Sequence, residues 1–170
     1  MTSPTAMPML PRWVAARKFA ARGQRLSGTV DVRELPRLMD AVLGANAPVS
    51  VALTFVEEDG PEIHGRVEAR VTLTCERCLE PMEVALVANP ALGLVRSDSE
   101  EAELPERLDP CLLPGEELDL FDLVEDELLL ALPIVARHQE ECRPLLPLEP
   151  AAADAAENPF RVLERLKPHR

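Results

Sequence analysis

At 170 residues the chain fits one domain with a modest core, and four Phe, one Trp and no Tyr leave Leu, Val and Ala to fill it. There is no run of 18 apolar residues, which excludes a long apolar membrane span, and four unevenly spaced cysteines do not resemble a secreted disulfide scaffold. The net charge of −12 is concentrated: Ser97 to Glu127 holds thirteen acids and one base, Arg107, whereas Arg12, Arg17, Lys18, Arg22 and Arg25 form a segment without an acid.

Residues 1–11 carry three prolines and no pattern, and read as a loose terminus. Arg12 to Arg22 is read as a basic first helix rather than a transit peptide, ended by Gly23. Leu26 to Val32 is extended. Glu34 to Leu43 places Leu35, Leu38, Met39, Val42 and Leu43 at the spacing of an amphipathic helix, with Pro36 in its first turn and Gly44 as a left-handed stop.

Period-two alternation then takes over, because successive side chains of a strand face opposite sides. Val49 to Phe55 and Ile63 to Leu73 alternate apolar with polar residues around the turn cluster 57–61. A third strand runs through Val84, Leu86 and Ala88 and, past a break at Pro90, continues to Leu94. The three form an antiparallel meander with Cys75–Pro81 as its second turn. Ser97 to Glu117 is too acidic and too rich in proline to bury itself, and is expected as a long exposed loop.

Asp119 opens a second amphipathic helix, with Asp119 and Asp122 near the positive end of its dipole and Pro133 as its stop. Leu120, Phe121, Val124, Leu128 and Ala131 line one face, and the acids along it are read as its solvated face. Residues 143–157 are rich in Pro and Ala and expected to be mobile. Asn158-Pro159 then starts a short basic helix, Phe160 to Lys167.

Chemistry is concentrated in two pairs, Cys75-x-x-Cys78 and His138-x-x-x-Cys142. Three thiolates and one imidazole suffice to close a tetrahedral zinc site, and a tight turn aims both sulfurs of the first pair at one point. A redox pair belongs at a helix N-terminus in a βαβ unit, not between antiparallel strands. The bland alternative is two buried cysteines and a surface histidine. Cys111 reads as a free surface thiol, and His64 as a solvent-facing residue. Catalytic residues are expected to be none: there is no Gly-rich phosphate loop, nucleophile elbow or recognisable Ser/His/Asp set. An acidic chain almost without aromatics repels phosphate as a whole, so the acidic segment suits a basic protein.

Several segments in one order resemble the YceD-type family, named for accumulation of 23S ribosomal RNA. They are Ala15–Gly23, the knuckle Leu73-Thr-Cys-Glu-Arg-Cys-Leu-Glu-Pro81, Val95–Asp98, Asp119–Pro133 followed by His138, and Asn158–Leu163. The resemblance implies a cytoplasmic, non-enzymatic factor for synthesis, processing or stability of 23S rRNA. Some lineages carry cysteine where His138 stands, which supports zinc here.

The expected architecture is α+β: an antiparallel meander packed against helices 34–43 and 119–132, forming one domain over 1–142 with 143–170 as an appendage. Expected metal ligands are Cys75, Cys78, His138 and Cys142, with structural zinc as the cofactor. Expected partners are ribosome assembly intermediates or large-subunit ribosomal proteins, with 23S rRNA touched through Arg12, Arg17, Lys18, Arg22 and Arg25. No membrane or small-molecule substrate is implied. The alternative is a zinc-ribbon interaction module in transcription or translation control.

Overall fold

A computed structural model describes residues 7–142; the expectations for the appendage 143–170 lie outside the described residues. The chain is α+β, as its two periodicities require. Strands β4 (Val49–Glu57) and β5 (Pro61–Thr74) form the central hairpin, with Val51 opposite Val67 and Phe55 opposite Ile63. Strand β6 (Pro81–Ala88) lies on the other edge of β5, with Val84 opposite Val71 and Leu86 opposite Ala69. These pairs put Val51, Leu53, Phe55, Ile63, Val67, Val71, Val84 and Leu86 on one face, and leave Arg66, Glu68, Arg70 and Glu83, with Val56 and Val87, on the other.

The break at Pro90 is real. Strand β7 (Ala91–Val95) resumes on the same edge of β5, opposite Glu62–His64, and the Pro90 carbonyl accepts from the Gly65 N–H at 3.1 Å. The meander gains β2 (Arg25–Val30), antiparallel to β4. Residues 8–10, expected to be loose, pair along β2 and bury Leu10, which is 5% exposed.

The helices are shorter than periodicity suggests. The expected helix over 12–22 is divided: Trp13–Val14 is strand β1, and only Ala16–Ala20 is helix α1, followed by Gly23 at φ 60°. The reason is a distant partner, since β1 pairs with β9 (Leu118–Asp119). Phe19 of α1 meets Phe55 edge-to-face at 5.5 Å, seating the helix on the apolar face of the sheet. A 3-10 turn at Val32–Glu34 leads into α2 (Pro36–Ala41).

Gly44 is not a left-handed stop. Val42 is already extended, and Gly44–Ala45 form β3 against Val71–Thr72 of β5. That stretch of the β5 edge lies beyond the reach of β4, so its backbone groups recruit the nearest extended residues.

The acidic segment is also not a plain loop. It holds α3 (Asp98–Glu101) and β8 (Asp109–Leu112), which adds to β7 in parallel. Leu108 and Leu113 are buried, and Gly93 leaves the room that Leu104 occupies: a Cβ there would lie 2.5 Å from Leu104 Cδ2. Helix α4 (Leu120–Leu130) crosses β5 and β6, burying Leu120, Phe121, Leu123, Val124 and Leu128, with Asp119 as its cap. Among the described residues no helix is long and apolar enough to cross a membrane.

Candidate metal centre

Cys75 directly follows β5 and begins the turn to β6. Its N–H donates to the Glu80 carbonyl at 2.9 Å and its carbonyl accepts from the Leu79 N–H at 2.8 Å, which folds the two cysteines to one side. Leu79 takes φ 66°, the left-handed region that a side chain resists. The segment after α4 crosses this knuckle: the Glu76 N–H donates to the Ala136 carbonyl at 2.8 Å, and Ala136 is buried. That backbone bond delivers His138 and Cys142.

The four predicted side chains come together. Their ligand atoms lie within 4.8 Å of one another. Cys75 Sγ is 3.8 Å from Cys142 Sγ, and Cys78 Sγ is 3.5 Å from His138 Nδ1. A tetrahedron with bonds of about 2.3 Å to sulfur and 2.0–2.1 Å to nitrogen has edges of about 3.8 Å between sulfurs and about 3.6 Å between sulfur and nitrogen. The group is therefore positioned to bind a metal ion. Cys75 is fully buried, Cys78 and His138 half-buried, and Cys142 exposed.

The electrostatics agree with ligand chemistry. Burial raises the Cys75 thiol, but the backbone N–H groups of Cys78, His138 and Arg77, and then the His138 ring, outweigh it and bring it down to about 5. A metal ligand must be a thiolate, and this nest of donors stabilises one. Local burial of its sulfur, and then the neighbouring Cys78 and Cys75, push the Cys142 thiol up. A cation among them reverses that preference.

The remaining expectations fare unevenly. Cys111 is outside the cluster and half-buried in β8, where burial and then Asp126 and Glu127 raise its thiol. His64 is not merely solvated, since its Nε2 lies 2.8 Å from Glu62. Glu62 is 1% exposed and is gripped by Arg107 at 2.8 and 2.9 Å, while Arg107 also reaches Asp59 at 2.9 Å. The lone base of the acidic stretch thus pins that stretch to β5.

The basic arm is partly spent internally. Arg12 Nε donates to Asp119 at 2.9 Å, with its guanidinium 5.8 Å from the Trp13 ring centre and 5.6 Å from that of Phe121. Lys18 lies 3.2 Å from Glu116, and Arg17 is half-buried. Arg22 and Arg25 are exposed, with no acid paired to them among the described residues.

Fold and centre together define a mixed sheet-and-helix protein whose hairpin knuckle meets the segment that follows an acidic helix, with three Cys and one His gathered where they could hold a metal ion. Residues 63–167 match the family described as large ribosomal RNA subunit accumulation protein YceD. The chain is also 33% identical over 170 aligned residues to the protein of that name from Haemophilus influenzae, covering 93% of this chain and 96% of the relative. It belongs to the YceD family. No solved structure matches it.

Proposed function

We propose that this chain supports the synthesis, processing or stability of 23S rRNA as a non-enzymatic factor in the cytoplasm, acting on large-subunit assembly intermediates. The observation that carries the reading is the family match along 63–167, which spans both halves of the clasp and the whole of α4. Zinc closes the clasp. Cys75, Cys78, His138 and Cys142 hold it, and its contribution is a cross-link between the β5–β6 turn and the residues after α4.

The charged surfaces then act from a fixed frame. The acidic segment offers basic ribosomal proteins a complementary field. Arg22 and Arg25, exposed beside α1, are the members of the basic arm best placed to meet an RNA phosphate, since Arg12 and Lys18 already hold Asp119 and Glu116.

Deletion of the gene tests the function directly. Sucrose-gradient profiles should show depleted 50S subunits, and the ratio of mature 23S to 16S rRNA should fall. A normal gradient and ratio across several growth conditions would sink the proposal. Direct RNA contact is tested separately: Arg22→Glu with Arg25→Glu should weaken association with 23S rRNA, and the wild-type association should decline steeply with salt.

A further inference from the structure

Between β8 and α4 runs a groove of about 740 Å³ that the clasp does not touch. Its floor is apolar, with Leu113 and Leu123 buried beneath it and Leu130 exposed at its edge. Asp109, Glu117 and Glu127 line it, and among the described residues none of the three is ion-paired with a cation. Burial, then Asp109 and Asp126, raise the Glu127 carboxyl, as expected where acids converge around apolar surface without a counter-charge. Leu112 and Leu130, 60% and 81% exposed, flank the opening. An apolar trough with acidic walls suits an amphipathic segment with basic flanks.

The same chain carries such a segment. Residues 158–170 bear Arg161, Arg165, Lys167 and Arg170 against the single acid Glu164, and Phe160, Leu163 and Leu166 recur at intervals of three. Residues 143–157 separate it from Cys142 and can span up to about 50 Å. The groove follows α4, whose 11 residues rise about 16 Å, so reach is no obstacle.

We propose that this groove is the docking site of the chain's own segment 158–170, with its apolar residues on the leucine floor and its cations against Asp109, Glu117 and Glu127. Held there as a tethered ligand, the segment competes with any basic partner for the acidic face at a high effective concentration.

Lys18 and Lys167 are the chain's lysines, which makes zero-length carbodiimide cross-linking of the full-length protein a clean test. Lys18, 3.2 Å from Glu116, serves as the internal control. Peptide mass spectrometry should find Lys167 joined to Asp109, Glu117 or Glu127. Arg161→Glu with Arg165→Glu should lower those links at least about tenfold, the equivalent of roughly 1.4 kcal/mol, with the Lys18–Glu116 link unchanged. In an equal mixture of isotopically heavy and light protein, the links should stay within one chain. Lys167 links confined to carboxylates elsewhere, or no Lys167 links beside a normal control, would overturn the proposal. Links mainly between heavy and light chains would overturn it in favour of a second copy as occupant.

Discussion

Glu125, midway along the acidic helix α4, accepts a hydrogen bond of 3.0 Å from the backbone N–H of Leu38 and so caps a different helix, α2. Its other oxygen takes Arg37 Nε at 2.7 Å, while Arg37 Nη1 holds Asp126 at 2.7 Å. The carboxylate satisfies one of the N–H groups that the first turn of α2 leaves without a partner, and locks α2 against α4. Glu125→Ala exposes that need and should lower stability by about 2 kcal/mol, with Glu125→Gln costing about half as much. Urea unfolding of the two variants checks both the loss and its order.

Acid should loosen the acidic stretch from the sheet. The Arg107 guanidinium, together with His64 and the Asp59 N–H, holds the Glu62 carboxyl at about 2, below its ordinary value of 4.5. A carboxylate depressed in the folded state contributes its stabilisation above the unfolded value and loses it as the pH falls. The stability difference between wild type and Glu62→Gln should therefore be constant above pH 4.5 and shrink between about 4.5 and 2. Melting curves at stepped pH measure it. A difference that persists undiminished to the acid end would contradict the pairing.

What was legible in the residues follows from distance along the chain. The hairpin β4–β5 and strand β6 announce themselves because each residue alternates against near neighbours, and the knuckle falls where the alternation stops. Asp119 was readable as a cap because the N–H groups that its carboxylate accepts from lie two and three residues away, at Phe121 and Asp122. Trp13–Val14 was not readable as a strand, because its partner Leu118–Asp119 lies about a hundred residues on. Taken locally, Arg-Trp-Val-Ala-Ala-Arg fits a helix.

The buried acids were hidden for the same reason. Local pattern places Glu125 on a wet face and the stretch around Arg107 in a loop; only remote partners, Arg37 with Leu38 and Glu62, overturn this. The four clasp residues were legible as two spaced pairs. The backbone bond from Glu76 to Ala136 that brings them together was not.

Gly65 is a second test of the sheet. A Cβ at this position would lie 2.3 Å from the Ala52 carbonyl oxygen and 2.7 Å from Leu53 Cδ2, so the backbone itself must move. Gly65→Ala should cost about 1–3 kcal/mol, despite the higher strand propensity of alanine. Thermal unfolding checks it, and a neutral result would mean that β4 and β5 do not approach this closely at Gly65.

The knuckle offers a gain rather than a loss. Leu79 is 70% exposed and holds φ 66° in the turn that aims Cys78. Asparagine tolerates that conformation better, and little packing is lost at so exposed a site. Leu79→Asn should raise stability by about 0.5–1 kcal/mol with unchanged metal content. Paired denaturation and elemental analysis separate the two effects.

The central claim is that Cys75, Cys78, His138 and Cys142 close on zinc and thereby fix the β5–β6 turn to the end of α4. Metal content measured by elemental analysis on purified full-length protein tests it most directly. The account predicts about one Zn²⁺ per chain, lost in Cys75→Ser and in His138→Ala, with a lowered melting temperature in each. Metal-free protein that remains equally stable with and without added zinc would contradict it.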